Sequence, residues 1–290
     1  MPTATSATKL ARDAGNVLIC RATWGGSQNF LGARWVERII GGAPPRFRER
    51  VALRFLALSP HYFYARDVRA EDARNRRSRQ ILADTLVAPY LTSTARVLDY
   101  GCGPGYLAAA VARQAAHVDA VDISRGVLAC ARTLNGRANI SYRTPEEFRV
   151  SGEPVDVAYS FAMVQHLRTE VLRQVLAQLA AAVRPGGVLL LHFATAENGY
   201  RTEAQWLADG SPAGQIRLRY GLNCFARTPA EMTGLLAGCG FGEVEVRPLN
   251  TVLSLPGDDI PDEQLLTARR ASPPASKSLH YSLYLINIST

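Results

Sequence analysis

The spacing of apolar residues predicts that the first part of the chain is helical. Between residues 30 and 40, the apolar residues Leu31, Trp35 and Ile39 recur every four positions, which is typical of an amphipathic helix. Two more helices are predicted over residues 47–58 and 71–90, and proline residues mark the boundaries of the first of them. Residues 17–92 are therefore expected to form a helical region.

From residue 95 onward, short apolar strands alternate with helical patterns. Strands are predicted over residues 96–100, 117–122, 140–143, 155–160, 188–193 and 244–246, and helices over 106–115, 127–134, 172–183 and 229–237. A Pro-rich link is expected after the last of these strands, and a final strand over residues 279–288. Continuous apolar strands in such an alternation predict an α/β fold, in which helices cover both faces of a parallel sheet.

The composition is that of a globular protein, with 47% hydrophobic and 20% charged residues. No apolar run approaches the roughly 18 residues that a membrane helix needs. The five cysteines are scattered and form no C-x-x-C pair, so neither a disulfide framework nor a zinc site is indicated. A cytoplasmic protein without a membrane partner is expected, and its first residues, 1–16, are expected to be a flexible tail.

The formal charge of +8 raises the possibility of a nucleic-acid partner. Arginine carries nearly all of this charge, because Lys9 and Lys277 are the only lysines. The densest arginine cluster, residues 66–79, is interleaved with acidic residues, a pattern that is typical of a solvated helix face. A nucleic-acid partner is therefore not favoured.

A glycine-rich turn follows the first predicted strand and contains Gly101, Gly103 and Gly105. A strand, such a turn and a helix together bring a nucleoside-type cofactor to the N-terminus of the helix. Tyr106 stands where a dinucleotide-binding fingerprint needs its third glycine, and Pro104 removes a backbone N–H that would bind phosphate. The turn therefore suits a ligand without a phosphate group.

An acidic residue, Asp122, ends the second predicted strand. A carboxylate at this position can accept hydrogen bonds from both hydroxyls of a ribose. The alternative is that Asp122 only caps the helix that follows it.

Residues 97–105, with the sequence VLDYGCGPG, and Asp122 together resemble motifs I and II of class I S-adenosylmethionine-dependent methyltransferases. A matching Arg-Pro-Gly-Gly sequence, residues 184–187, precedes the fifth predicted strand. The resemblance extends over about residues 97–246. It implies a Rossmann-like, seven-stranded and mostly parallel sheet that residues 279–288 complete, with S-adenosylmethionine as the cofactor.

The same resemblance implies which residues contact the cofactor. Asp99 would meet the amino group of its methionine portion, which Gly101 and Gly103 would line. Asp122 would bind the ribose and Ile123 would pack on the adenine.

A polar side chain in the loop after the third strand is expected to cap the adenine. Glu146 is the preferred residue, with Glu147 as the alternative. Tyr64 is expected to close over the cofactor from the N-terminal region, and Tyr62 to line the substrate pocket. Both tyrosines would serve equally well to dock the N-terminal helices on the core.

Ligands of open α/β sheets bind beyond the carboxyl ends of the strands, so residues 160–167, after the fourth strand, should face the transferred methyl group. Phe161 is expected to contact the cofactor there, and Gln165 the substrate. This segment contains no Asp/Asn-Pro-Pro-Tyr/Phe signature, no nucleophilic cysteine and no metal-binding carboxylate. Metal-independent methylation of a small molecule is the hypothesis that remains.

Two histidines are candidates for the chemistry. His166 is the expected general base, because histidine titrates near neutral pH, although it would also suit a role in orienting the cofactor or in packing. His192, one residue before the end of the fifth strand, is predicted to line the substrate pocket. A hydrogen-bonded core histidine is the alternative for His192.

The polar segment 194–227 interrupts the alternation and is longer than an ordinary loop. It is predicted to be an insertion over the active site, with Tyr200 and Tyr220 in the substrate pocket, or else a structural excursion that these aromatic residues anchor. The predicted organisation is thus a tail over residues 1–16, an N-terminal helical lid region over 17–92 and a methyltransferase core over 93–290 that contains this lid insertion.

The resemblance and the missing motifs favour O- or N-methylation of a small molecule, in bacterial specialised metabolite biosynthesis. One alternative is a methyltransferase that acts on RNA or protein and uses the arginines to hold its target. Another is an enzyme of the same fold that retains the cofactor but catalyses a reaction such as cyclisation. A homodimer is left open, and the sequence does not identify the acceptor.

Overall fold

The computed structural model describes residues 32–58, 67–151, 153–221, 223–255 and 263–272. Within them, the strands are β1 (Arg96–Tyr100), β2 (His117–Val121), β3 (Ile140–Arg143), β4 (Val155–Ser160), β5 (Val183–Phe193), β6 (Phe241–Pro248) and β7 (Gln264–Arg270). They form one sheet in the order β3-β2-β1-β4-β5-β7-β6. The strands β1 to β5 are parallel, whereas β7 runs antiparallel to β5 and β6. The predicted Rossmann-like, mostly parallel, seven-stranded fold is confirmed.

The seventh strand does not lie where the sequence analysis expected it. Residues 279–288 lie outside the described residues, whereas β7 lies in the predicted Pro-rich link. The pattern of β7 is hard to recognise because polar residues surround its buried positions, which are Leu265, Leu266 and Ala268. Pairing with β5 on one side and β6 on the other makes this segment a strand.

The described residues contain the seven helices that the sequence predicts and four short helices, within residues 145–151, 203–220 and 249–252, that it does not predict. They are α1 (Gly32–Gly42), α2 (Pro45–Leu58), α3 (Val68–Leu82), α4 (Tyr106–Val111), α5 (Arg125–Asn135), α6 (Pro145–Ser151), α7 (Thr169–Ala182), α8 (Glu203–Leu207), α9 (Pro212–Tyr220), α10 (Pro229–Gly238) and α11 (Leu249–Val252). The helix predicted over residues 71–90 is α3 followed by a π-helical turn, Ala83–Val87, and a 3-10 turn, Ala88–Tyr90. No helix of the described part of the chain is long and apolar enough to span a membrane.

Hydrophobic clusters cover both faces of the sheet. Val97 and Leu98 are adjacent in β1 and fully buried, yet they belong to different clusters. Since successive side chains of a strand point to opposite faces, this assignment shows a core on each side of the sheet. The continuous apolar runs of β1, β4 and β5 follow from this double burial.

The N-terminal helices pack against the two helices that follow β1 and β2. Val36 of α1 and Leu56 of α2 share a buried cluster with Val127 of α5. Helix α3 contacts α4 through a hydrogen bond, in which the hydroxyl of Tyr106 donates to Asp72 Oδ1 at 2.5 Å. The first residue of α4 is therefore held from the N-terminal region.

Candidate functional site

The turn after β1 requires glycine at both of its ends. Gly101 and Gly105 have φ angles of +85° and +78°, which lie in the left-handed region. A Cβ atom on Gly101 would lie 2.6 Å from Cγ of Met163, and one on Gly105 would lie 2.4 Å from the hydroxyl of Tyr142. Both the backbone conformation and the close neighbours exclude a side chain, so the turn presents bare backbone at the carboxyl edge of the sheet.

Asp122 connects this turn to the end of β2. Its Oδ2 accepts a hydrogen bond from the amide of Gly103 at 2.9 Å, and its Oδ1 accepts one from the amide of Ser124 at 2.9 Å. Burial raises the pKa of Asp122, and the two amide donors oppose this shift. Asp122 thus supports the start of α5, which is the structural role that the sequence offers as an alternative to ribose binding. A carboxylate oxygen can accept more than one hydrogen bond, so Asp122 has acceptor capacity left for a ligand.

Asp99, in β1, is a buried carboxyl group with an incomplete set of partners. Its side chain is 3% exposed, and its Oδ2 has no hydrogen-bond partner among the described residues. Burial raises the pKa of Asp99 to about 8, and the neighbouring Tyr159 hydroxyl offsets this only in part. Because buried polar atoms are nearly always paired, this oxygen fits a ligand that donates hydrogen bonds or carries a positive charge.

Among the residues predicted around the adenine, Glu147 has polar contacts within the protein, whereas Ile123 and Glu146 are exposed. Ile123 is 61% exposed, which is unusual for a large apolar side chain next to a buried strand. Glu147 Oε2 accepts a hydrogen bond from the amide of Thr144 at 2.8 Å, and its Oε1 pairs with Arg125 at 3.0 Å. Glu147 therefore caps the start of α6. Glu146 is exposed, and it remains the predicted adenine contact.

The turn after β4 reaches towards the glycine turn. Ala162 has a φ of +56°, an uncommon conformation for a residue with a Cβ. The ring of Phe161 stacks on that of His192, with the ring centroids 6.1 Å apart and the planes inclined by 21°. Met163 lies against Gly101, so this turn contacts the segment that is predicted to line the cofactor.

His166 lies in a short 3-10 helix, Val164–His166, in the same segment. Its Nδ1 lies 2.7 Å from the carbonyl oxygen of Asn223. A carbonyl only accepts hydrogen bonds, so Nδ1 is the donor and a neutral ring carries its lone pair on Nε2. Burial lowers the pKa of His166, and the neutral ring is therefore the dominant form near pH 7.

The end of the polar insertion, residues 223–227, holds the backbone of this 3-10 helix. The amide of Phe225 donates to the carbonyl of Gln165 at 2.6 Å. The guanidinium of Arg227 donates to the carbonyls of Val164, at 3.3 Å, and Leu167. Arg227 is 3% exposed, and nothing in the neighbouring sequence distinguishes it from the other arginines. The backbone is thus fixed both before and after His166.

His192 is a hydrogen-bonded and buried histidine. Its Nδ1 accepts a hydrogen bond from the amide of Ala162 at 3.1 Å, and its Nε2 lies against the carboxylate of Glu263. The hydroxyl of Tyr200 donates to the other carboxylate oxygen, Oε1 of Glu263, at 3.1 Å. The structure therefore brings His192 and Tyr200 together through Glu263. Sequence reasoning missed Glu263, because it precedes β7 in the predicted link.

Several other polar atoms at this edge are buried and have no hydrogen-bond partner among the described residues. They are Ser160 Oγ, Gln165 Oε1, Thr195 Oγ1 and Asn223 Nδ2. Their positions in the chain are the end of β4, the 3-10 helix, the segment after β5 and the end of the insertion. Because such atoms are rare in folded proteins, their number at one edge favours a polar ligand there.

Three predicted site residues are not located. Tyr62 and Tyr64 lie outside the described residues, and so does the side chain of Tyr220. Within the insertion, the indole Nε1 of Trp206 donates to the carbonyl of Cys224 at 2.8 Å, so this aromatic residue anchors the segment.

Comparisons with known proteins identify the family of this chain. The methyltransferase-domain family matches residues 97–187. The chain is 31% identical over 206 residues to the ubiquinone biosynthesis O-methyltransferase of Dinoroseobacter shibae, in an alignment that covers 63% of this chain and 77% of that protein. The first relative is thus matched over more than three quarters of its length.

This chain belongs to the class I S-adenosylmethionine-dependent methyltransferases. It is an enzyme, and the predicted cofactor, S-adenosylmethionine, is confirmed. A second relative of this methyltransferase, the malonyl-[acyl-carrier protein] O-methyltransferase of Enterobacter lignolyticus, is 29% identical over 165 residues, which are 57% of this chain and 61% of that protein.

A solved structure shows the same fold at lower identity. A chain of the complex between the Haloferax volcanii Trm112 methyltransferase activator and a methyltransferase is similar to this one, with a TM-score of 0.51. The sequences are 16% identical, and the match covers 71% of this chain and 94% of the other. At this identity the likeness shows the fold alone.

Proposed function

We propose that this methyltransferase methylates a hydroxyl oxygen of a small molecule, without a metal ion, in bacterial specialised metabolite biosynthesis. The observation that carries the proposal is the state of His166. Its ring is neutral near pH 7, its Nδ1 is engaged by the carbonyl of Asn223, and its segment lies at the edge of the sheet where ligands bind. A hydroxyl acceptor needs such a base, because an oxygen is a weak nucleophile until it loses its proton.

The residues of the glycine turn and of β1 and β2 fit the cofactor. S-adenosylmethionine supplies an electrophilic methyl group on a positively charged sulfur. The unpaired Oδ2 of Asp99 would accept from the ammonium group of the methionine portion, and the bare backbone of Gly101 and Gly103 would allow its close approach. Asp122 would hold the ribose, and the exposed side chain of Ile123 would be covered by the adenine.

The remaining predicted cofactor contacts are Glu146, at the adenine edge, and Phe161, after β4. Glu146 is exposed, whereas its neighbour Glu147 already caps α6. Tyr64 stays a prediction as the residue that closes over the cofactor.

His166 would act on the acceptor hydroxyl itself. Its Nε2 would take the proton, and the oxygen would become the nucleophile that forms the new bond to the methyl carbon. Holding the reacting oxygen in line with the methyl group is the second requirement, and Gln165 and the insertion residue Tyr200 are the proposed contacts. Tyr62 and Tyr220 would line the same pocket. His192 is better assigned to support of the turn, because both of its ring nitrogens already have neighbours.

Two further observations support a reaction that needs no metal ion and an acceptor that is small. Ser160 and Phe161, where β4 ends, offer no carboxylate that would bind a metal ion. Residues 194–227 add three short elements beside the carboxyl edge, which would close the pocket over a small acceptor together with the N-terminal region 17–92. The names of both relatives include O-methyltransferase, which agrees with an oxygen acceptor. A cytoplasmic location and a homodimer stay predictions.

The proposal is tested with a cofactor that carries a labelled methyl group and a panel of phenols, aliphatic alcohols, amines, RNA and protein. We expect label in a small-molecule methyl ether, and loss of that product in His166→Gln. His117→Gln is the control, because His117 begins β2 at the opposite edge of the sheet. Label that enters only amines, RNA or protein would contradict the proposal. Turnover of an acceptor without label, supported by the demethylated cofactor, would indicate a non-methylating reaction instead.

A further inference from the structure

We propose that Glu263 is a positioning residue for methyl transfer, which acts by fixing His192 so that this ring holds the turn between β4 and the His166 helix. The effect of Glu263 on catalysis rests on the proposed function. Its effect on the conformation of the turn does not. Glu263 lies just before β7 and is 5% exposed, so the last described strand delivers a buried carboxylate to a site that earlier strands build.

The first step is the tautomer of His192. Its Nδ1 accepts from the amide of Ala162 at 3.1 Å, and an amide only donates, so Nδ1 carries the lone pair. The proton of the neutral ring is then on Nε2, which lies against the carboxylate of Glu263. The carboxylate accepts a hydrogen bond from this N–H, which fixes both the tautomer and the orientation of the ring.

The second step is the backbone that His192 holds. Ala162 has a φ of +56°, a conformation that L-residues adopt only when their surroundings impose it. The acceptor on His192 supplies that restraint at the Ala162 amide. Met163, the next residue, packs against Gly101, and the helix with His166 begins immediately afterwards. Release of the Ala162 amide would therefore disturb both the cofactor side and the acceptor side of the turn.

The third step is the connection to the polar insertion. Tyr200 donates to the second carboxylate oxygen of Glu263 at 3.1 Å, so one side chain holds the insertion and the turn together. The titratable groups around Glu263 are His192, Tyr200, His166 and Cys224. Burial raises the pKa of Glu263, but hydrogen bonds from His192 and Tyr200 outweigh it and leave the pKa below its ordinary value. The carboxylate is thus ionised and able to accept from both partners near pH 7.

The test compares Glu263→Ala, Glu263→Gln and His192→Phe, each as the full-length enzyme. Binding of S-adenosylhomocysteine is measured by calorimetry, because this readout needs no acceptor. We expect Glu263→Ala and His192→Phe each to weaken binding by about threefold or more. His192→Phe retains an aromatic ring against Phe161, so its loss reports the missing acceptor for Ala162.

Two patterns separate positioning from a general loss of structure. Glu263→Gln keeps an oxygen that accepts from His192, so we expect this variant to retain most of the affinity. In the double variant Glu263→Ala/His192→Phe the losses should not add, because both changes break the same chain of contacts. Glu245→Ala removes an exposed carboxylate of β6 and should leave affinity unchanged.

Once a hydroxyl acceptor is identified, kcat should fall by about tenfold or more in Glu263→Ala, because His166 is displaced. Unchanged affinity in Glu263→Ala and His192→Phe, or losses that add in the double variant, would overturn the inference. Failure to methylate any hydroxyl would contradict the proposed function instead, and the binding measurements would still decide the role of Glu263.

Discussion

The Oδ2 atom of Asp122 accepts a hydrogen bond from the amide of Gly103 at 2.9 Å, and this contact ties the end of β2 to the turn after β1. Asp122→Ala should therefore lose both a proposed ribose contact and the support of the turn. We expect the affinity for S-adenosylhomocysteine to fall by about tenfold or more, since about 1.4 kcal/mol corresponds to a factor of ten. Asp122→Asn keeps one acceptor oxygen and should lose less. Calorimetry that finds no change in Asp122→Ala would refute the ribose assignment.

Cofactor binding should release a proton from Asp99. Burial raises the pKa of this carboxyl group to about 8, so it is mostly protonated near pH 7. A neighbouring ammonium group lowers a carboxyl pKa, and the proton is then lost to the solvent. Calorimetry of S-adenosylhomocysteine binding in buffers of different ionisation enthalpy measures this release. Asp99→Asn should bind without it; an equal release in this variant would assign the proton to another group.

Activity on a hydroxyl acceptor should fall as the pH is lowered, because protonated His166 is not a base. Burial lowers the pKa of His166, so kcat/KM should rise through a pH below the ordinary value of 6.5 and then reach a plateau. A pH profile of the wild-type enzyme tests this. Its acidic limb should disappear in His166→Gln, together with most of the activity. An unchanged limb in the residual activity of that variant would mean that a different group titrates.

Arg227 should be needed for the His166 helix as well as for stability. Arg227→Met removes the guanidinium donor from the carbonyls of Val164 and Leu167. The Val164 carbonyl keeps the amide of Leu167, at 3.2 Å, but the Leu167 carbonyl loses its donor, and a buried unsatisfied group costs about 1–3 kcal/mol. Denaturant unfolding should show that loss, and kcat should fall more than the affinity for S-adenosylhomocysteine. Arg113→Met, at an exposed site, is the control. Equal loss of kcat and affinity would argue against a local effect on His166.

The adjacent residues Glu146 and Glu147 should separate binding from stability. Glu147 accepts a hydrogen bond from the amide of Thr144 at the start of α6, so Glu147→Ala should lower the free energy of unfolding by about 0.5–1.5 kcal/mol. Glu146 is exposed, and Glu146→Ala should weaken S-adenosylhomocysteine binding with little effect on stability. The two measurements on the two variants serve as controls for each other. The reverse pattern would make Glu147 the adenine contact.

The features that the sequence predicts correctly are those that neighbouring residues determine. The glycines at 101 and 105 and the acidic residue Asp122 are recognisable because a left-handed turn and a strand end require particular residue types. The burial of β1, β4 and β5 on both faces likewise leaves continuous apolar runs.

Tertiary contacts determine the rest, and a sequence pattern does not record them. Arg227 and Glu263 reach the turn after β4 from distant parts of the chain, and neither belongs to a motif. His192 lies in an apolar strand whether it lines the substrate pocket or is a hydrogen-bonded core residue. Only the partners at its two ring nitrogens distinguish these two roles.

The position of β7 has a consequence for how the protein reaches its native state. This strand lies between β5 and β6, although both precede it in the chain. Until β7 is inserted, the facing edges of β5 and β6 expose unpaired backbone groups that can pair with other chains. A truncation before Glu263 should therefore yield an aggregating protein rather than a smaller enzyme, because these edges of β5 and β6 stay unpaired. The same segment of the chain completes the sheet and supplies the carboxylate that holds His192.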